Sequence, residues 1–294
     1  MATNAPSGPI LITGSSSGIG RASALALHAE GRIVYATARR LDSIQDLADQ
    51  GIHTLTLDVT DEDSMVHAVR VIEAESGPVA VLINNAGYGL YGAVEQVPMA
   101  DIRRQFDTNF FGLVRLTQLV LPGMRRAGAG RILNVSSMGG RVTLPGGAFY
   151  HASKYAVEAL SDALRMEVAQ FGIDVVIIEP GPVKTPWNDI AVDSMQGAPT
   201  NVNGAVDNGA GQDPYADYKQ AVTASFASAQ RGPLGRLASS AEDIAAVIVK
   251  AVTARKPRTR YLINAVAKGM LITRRLLPTR ASDAVLARQY GLPR

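Results

Sequence analysis

The apolar run Pro9-Ile10-Leu11-Ile12 is followed at once by Thr13-Gly14-Ser15-Ser16-Ser17-Gly18-Ile19-Gly20, and then by an Ala- and Leu-rich helical pattern over residues 21–28. This is strand, glycine-rich turn, helix. Glycines let the backbone of such a turn approach a pyrophosphate. The helix behind it offers unpaired N–H groups and the positive end of a dipole. The spacing is G-x-x-x-G-x-G rather than the commoner G-x-G-x-x-G. Gly and Ser also suit an ordinary strand–helix loop, but three glycines at the first βα turn favour a phosphate-binding turn.

The same alternation continues. Residues 33–37, 54–57, 79–83, 131–135 and 173–178 read as further strands, with helical patterns near 61–75, 99–126 and 150–168. Alternation of this kind predicts an α/β fold with a doubly wound parallel sheet. Such sheets bind ligands at the C-terminal ends of their strands, where this chain puts its polar and glycine-rich clusters. After the second strand comes Ala38-Arg39-Arg40, where an NAD site would carry a carboxylate for the ribose 2′-hydroxyl. An arginine there pairs with a 2′-phosphate, so NADP is expected, with Arg39 as its contact; solvated loop charges are the alternative. Asn84-Asn85-Ala86-Gly87 ends the fourth strand, either as a purely structural turn or as a turn closed beside a ligand. Asn109 lies on an apolar helical pattern, where it is either a satisfied structural residue or a holder of water.

The stretch Tyr150-His151-Ala152-Ser153-Lys154 lies on a helix whose stripe is Tyr150, Ala152, Val157, Leu160, Leu164 and Val168. Residues four apart share a helix face, so the Tyr150 phenol and the Lys154 ammonium point the same way. A nearby cation lowers a phenol from its usual value of about 10. A phenol tuned in this way can exchange a proton with an alcohol or alkoxide. Alone, a Tyr and Lys at this spacing are more often surface decoration.

Composition bounds the remaining possibilities. The 294 residues carry 47% hydrophobic and 19% charged side chains, which fits a globular protein with a sizeable core. A net charge of +3 and the absence of a basic face interleaved with aromatics do not suggest a nucleic-acid partner. With no cysteine, disulfides and thiolate metal sites are excluded. The histidines, at 28, 53, 67 and 151, lack metal-ligand spacing, so no metal is expected. No run reaches the roughly 20 apolar residues that span a bilayer. Residues 1–8 lack the marks of a signal peptide, and a cytoplasmic location is expected.

With the glycine turn, the Asn-Asn-Ala-Gly turn, the Ser136-Ser137 pair, the Tyr-x-x-x-Lys helix and the Pro180-Gly181 turn in this order, the chain resembles the short-chain dehydrogenase/reductase family, in its main single-domain branch. The resemblance is strong over residues 8–190 and weaker to about 265. It implies a single Rossmann-type domain of about seven parallel strands and reversible hydride transfer between a nicotinamide and a carbonyl or secondary alcohol. By resemblance, Gly14, Ser16, Gly18, Ile19 and Gly20 form the pyrophosphate turn. Asp58 and Val59 contact adenine, and Asn85, Ala86 and Gly87 line the cofactor. Pro180, Gly181, Val183 and Thr185 bond the carboxamide. The same resemblance makes Asn109 the holder of a relay water and Ser137, thirteen residues before Tyr150, the serine that binds the substrate carbonyl. Ser136 is the less favoured of the pair. Tyr150 becomes the general acid–base, and Lys154 the residue that bonds the nicotinamide ribose and lowers the phenol pKa. NADP(H) is preferred and NAD(H) is possible.

Residues 186–233 are unlike the core, and 197–211 are rich in Gly, Asn and Asp. By the resemblance this segment closes over the substrate, and with Trp187, Met195, Tyr215 and Tyr218 it is read as a lid over a lipophilic one; packing of two short helices is the alternative. Met138, Leu144 and Phe149 are further pocket candidates. Residues 240–254 read as an amphipathic helix and 260–263 as a seventh strand. The tail at 265–294 adds one or two helices, for which packing on the same subunit is the default over a dimer contact or a membrane-surface helix. The resemblance also implies a homo-oligomer, dimer or tetramer, associating through the 99–126 and 150–168 helices. The rival functions are a 3-oxoacyl-thioester reductase of lipid metabolism and a non-catalytic NADPH-sensing regulator.

Overall fold

Ile10, Leu11 and Ile12 are fully buried, as are Val81, Leu82 and Ile83. A strand hides every residue only when helices cover both faces of its sheet. That is the arrangement of the computed structural model, which describes residues 6–184, 187–197, 213–231 and 237–292. Strands β1 (Ile10–Ile12), β2 (Val34–Ala38), β3 (His53–Thr56), β4 (Val81–Asn84), β5 (Gly130–Val135), β6 (Ile173–Pro180) and β7 (Arg260–Ile263) form one sheet. Its order is β3-β2-β1-β4-β5-β6-β7, and every neighbouring pair is parallel. The doubly wound sheet expected from the alternation is therefore present, and the strand order reverses between β1 and β4.

The helices are α1 (Gly18–Ala29), α2 (Gln45–Ala48), α3 (Glu62–Ser76), α4 (Met99–Phe106), α5 (Gly112–Ala127), α6 (Ala148–Val168), α7 (Trp187–Gly197), α8 (Ala216–Arg231), α9 (Ala241–Thr253), α10 (Ala265–Leu276) and α11 (Thr279–Gln289). Alternate strand residues feed opposite faces. Ile10, Ile12 and Ile83 pack against Leu27 of α1 and Ile244 and Ile248 of α9. Leu11, Leu82 and Ile132 pack against Ile72 of α3, Leu116 of α5 and Leu164 of α6. Local signals set the helix ends. Asp61 caps α3 by accepting from the Ser64 N–H at 3.2 Å. Ser240 and Asp243 cap α9 reciprocally, which holds two otherwise free N–H groups.

Two helices depart from the sequence reading. The 99–126 pattern is α4 and α5 joined through a π-turn at Asp107–Phe111, with Asn109 on that turn. In α6, Tyr150, Val157, Leu164 and Val168 are buried as expected, but Ala152 is exposed and Leu160 half-buried. The buried stripe instead includes Ser153, Lys154, Glu158 and Ser161. The reason is what α6 lies over: it crosses the polar C-terminal ends of β5 and β6. There Ser161 Oγ accepts from Asn134 at 2.9 Å, and Arg260 bonds Glu158 at 3.1 Å. Among the described residues, no helix is long and apolar enough to cross a membrane.

Candidate active site

A cleft of about 850 Å³ runs along the C-terminal ends of the strands. Its floor is the switch point between β1 and β4. Gly14 adopts φ +71, and a Cβ there would sit 2.9 Å from the Ala86 Cα. A Cβ on Gly20 would collide with the Gly14 carbonyl and the Asn85 amide. Asn85 draws the two turns together. Its Nδ2 donates to the Thr13 carbonyl at 2.9 Å and the Gly14 carbonyl at 3.1 Å, while Thr13 Oγ1 accepts from the N–H groups of Asn85 and Ala86. Of the two readings of the Asn-Asn-Ala-Gly turn, both features hold: the Asn85 amide is a structural tie, and the turn it closes lines the cleft. Helix α1 opens here with no side-chain cap from Ser17 and no acidic residue in its first turn. Its free N–H groups and dipole therefore suit an anion such as a pyrophosphate.

Gly14, Ser16, Gly18 and Ile19 line this end, with Arg39 beyond β2 and Asp58 and Val59 beyond β3. Asp58 is held in a tight turn, its Oδ1 accepting from the N–H and hydroxyl of Thr60 at 2.9 and 2.8 Å. Arg40 pairs with Asp42, whereas Arg39 has no ion pair among the described residues. Asn85, Ala86 and Gly87 continue the wall, and Pro180, Gly181 and Val183 form its far side. Thr185 lies outside the described residues. Gly20 stands behind the wall, as does Asn109, which is 1% exposed. The Asn109 Nδ2 donates to the Tyr88 carbonyl at 2.9 Å and to Ser153 Oγ at 3.2 Å, and its Oδ1 accepts from the Tyr88 N–H at 3.0 Å. These three bonds tie the side chain to Tyr88 and Ser153.

Ser136, Ser137, Tyr150 and Lys154 meet in the middle of the cleft. Ser137 caps a short turn by accepting from the Gly139 N–H at 3.0 Å. Lys154 Nζ donates to the Val135 carbonyl at 2.8 Å, which ties it to the end of β5, 6.0 Å from the Tyr150 ring centre. The phenol does not behave as the Tyr-Lys spacing alone suggested. Burial pushes Tyr150 up to about 12, while a hydrogen bond with Ser137 pulls the other way. Burial likewise pulls Lys154 down to about 8, against the Glu158 carboxylate. Desolvation is the larger cause for each, because both groups are almost fully enclosed. His151 is buried and neutral. Its Nδ1 donates to the Gly139 carbonyl at 2.9 Å, and its Nε2 accepts from the Leu144 N–H at 3.1 Å.

The outer wall is aromatic. Tyr91 packs edge-on against Trp187 and Phe226, and Trp187 lies 5.0 Å from the Tyr150 ring centre. Met138 and Leu144 line the cleft as expected; Phe149 does not. Met195 and Tyr218 pack behind the wall, and the Tyr215 hydroxyl turns outward to Glu95 at 2.6 Å. Residues 198–212, which hold most of the Gly- and Asn-rich stretch, lie outside the described residues. The sequence reading missed Tyr91, Phe226 and Tyr290, which also line the cleft. No motif marks them, because they meet only through the tertiary fold.

A family model described as short chain dehydrogenase matches residues 9–195. The chain is 35% identical over 278 residues to the uncharacterized oxidoreductase YbbO of Escherichia coli K12, covering 94% of this chain and 93% of that one. It is 44% identical over 180 residues to a 3-ketodihydrosphingosine reductase of Bacteroides thetaiotaomicron, covering 61% and 65%. A crystal structure of a short-chain dehydrogenase from Streptomyces avermitilis superposes with a TM-score of 0.75 at 31% identity, covering 97% of this chain and 96% of that one. With the motif order, the seven-stranded parallel sheet and the cleft at its switch point, the chain belongs to the short-chain dehydrogenase/reductase family of NAD(P)-dependent oxidoreductases.

Proposed function

We propose that this protein interconverts a ketone and a secondary alcohol on a lipophilic substrate, prefers NADP(H), and uses Tyr150 as the acid–base residue. The observation that carries the reading is the meeting of Ser137, Tyr150 and Lys154 in one cleft with an uncapped helix N-terminus and the glycine turn. When bound, the nicotinamide supplies the hydride. The chain does the rest. Ser137 and Tyr150 donate hydrogen bonds to the substrate oxygen as negative charge grows on it. A phenol pushed up to about 12 is protonated at neutral pH, and gives its proton to the alkoxide oxygen in the direction of reduction. Lys154, steadied by the Val135 carbonyl, holds the nicotinamide ribose. Gly14, Ser16, Gly18 and Ile19 hold the pyrophosphate. Asp58 and Val59 hold the adenine, and Pro180, Gly181, Val183 and Thr185 hold the carboxamide. Arg39, exposed and without an ion pair among the described residues, holds the 2′-phosphate. Asn109, on its π-turn beside Ser153, holds a water of the proton relay.

The aromatic wall supports a lipophilic substrate, and the relative named 3-ketodihydrosphingosine reductase is in keeping with it. Helices α7 and α8 serve as the lid. Exposed Met99 and Phe111 on the α4–α5 helix and Tyr155 and Met166 on α6 support association through those two faces, as a homo-oligomer working in the cytoplasm. The test is a panel of ketones, alcohols and acyl thioesters graded by size and polarity, run with both cofactors on the native protein and on Tyr150→Phe. Reduction of apolar ketones with NADPH is expected, falling about 10²–10⁴-fold in Tyr150→Phe. Tight NADPH binding with no turnover on any compound would instead favour a sensing role.

A further inference from the structure

The tail beyond β7 touches the cleft at both of its ends. It leaves β7 at Asn264, which adopts φ +73, caps α10 by accepting from the Ala267 N–H at 3.0 Å, and donates to the Pro182 carbonyl at 3.3 Å. The tail therefore begins on the Pro180-Gly181-Pro182 turn. It returns to the cleft through α11. That helix closes with a left-handed Gly291 (φ +64), a bond from the Gly291 N–H to the Arg288 carbonyl at 3.3 Å, and one from the Leu292 N–H to the Ala287 carbonyl at 2.8 Å. This double closure is the Schellman pattern, and it fixes the residue just before the glycine. That residue is Tyr290. Its ring joins Trp187, Phe226 and Tyr218 around the Tyr91–Tyr150 cluster, and it lines the cleft.

A residue held by a closed helix end is a wall rather than a frayed terminus. We propose that Tyr290 is a specificity-determining residue, through which the C-terminal helices set the length and bulk of the apolar part of the substrate. The proposal rests on the ketone-reductase reading above. Its chemistry is direct: the carbonyl sits at Ser137 and Tyr150, and the hydrocarbon runs outward between Tyr91, Trp187, Phe226 and Tyr290. Burial pushes the Tyr290 phenol up to about 12, so the ring meets the substrate as a neutral surface.

The test uses full-length protein and straight-chain ketones from 2-butanone to 2-dodecanone with NADPH. The ratio of kcat/KM for the longest to the shortest ketone is expected to fall about tenfold or more in Tyr290→Ala, the scale of losing a few methylene contacts. Tyr290→Leu, which keeps an apolar group, should fall by less. A second readout needs no turnover. Trp187 is the sole tryptophan of the chain and lies beside Tyr150, so its fluorescence reports occupancy of this wall. Titration with 2-dodecanone should change it in the native protein, with a correspondingly weaker affinity in Tyr290→Ala. If both variants keep the native chain-length ratio and the native titration, Tyr290 only packs and the inference fails. If no ketone turns over but the Trp187 titration still depends on Tyr290, the reductase reading fails while the wall stands.

Discussion

The buried His151 carries a pH signature that can be worked out from its contacts. Its Nδ1 faces the Gly139 carbonyl, which only accepts, and its Nε2 faces the Leu144 N–H, which only donates. One neutral tautomer satisfies both, so the ring clamps the loop that follows Ser137. Burial pulls this imidazole from its ordinary 6.5 to about 4, against the Gly139 hydrogen bond. Between those values the unfolded chain binds more protons than the native one, so the group removes stability as pH falls from 6.5 towards 4. At about 1.36 kcal/mol per pH unit, the native protein loses about 2 kcal/mol through His151 between pH 7 and pH 4.5. Now consider His151→Gln, which cannot titrate. At pH 7 it forfeits the clamp and should be about 1–3 kcal/mol less stable than the native protein. At pH 4.5 that deficit should shrink by about 2 kcal/mol, because the native protein now carries the imidazole penalty and the variant does not. Urea unfolding of both proteins at both pH values measures this. Glu158, which burial pushes up to about 7, titrates with the opposite sign but is shared by the pair, so it cancels in the difference. A deficit equal at pH 7 and pH 4.5 would refute the neutral-clamp account.

Other consequences can be checked separately. Arg39→Asp replaces a phosphate partner with a like charge and should weaken NADPH about 30-fold or more while changing NADH little; equal effects on both in fluorescence titrations would end the 2′-phosphate assignment. Lys154, pulled down to about 8, should lose its ammonium as pH rises, so kcat/KM for ketone reduction should fall through about pH 8; a flat profile to pH 9.5 would contradict a role for that charge. Arg131 is fully buried, and its Nη1 donates to the Ala251, Val252 and Ala254 carbonyls at 2.8, 2.7 and 2.8 Å while its Nη2 bonds Asp174 at 2.7 Å. Arg131→Met should cost about 3–5 kcal/mol in urea unfolding, because it strands the end of α9; a loss under about 1 kcal/mol would show that water replaces the guanidinium.

The apolar runs of β1 and β4, the Asp61 cap and the Tyr150-to-Lys154 spacing were legible without coordinates, because each is a local property. Side-chain period and turn chemistry act over a few residues. Arg131 was not legible. It reads as an ordinary strand residue, and its partners lie far off in the chain, Asp174 at 43 positions and the Ala251, Val252 and Ala254 carbonyls at 120 and more. The partners of Asn109 were not legible either, since Tyr88 and Ser153 lie 21 and 44 positions away.

By itself, then, the chain determined that strands and helices alternate, that a glycine turn opens at the end of the first strand, and that a phenol and an ammonium share a helix face. The fold alone decided what those groups experience. Enclosure lifts Tyr150 and lowers Lys154 despite their proximity, since desolvation depends on everything packed around a charge and not on its neighbours in sequence. The substrate wall is likewise a product of topology: Tyr91, Trp187, Phe226 and Tyr290 come from separated parts of the chain and meet only where the sheet's crossover connections and the closed end of α11 bring them together.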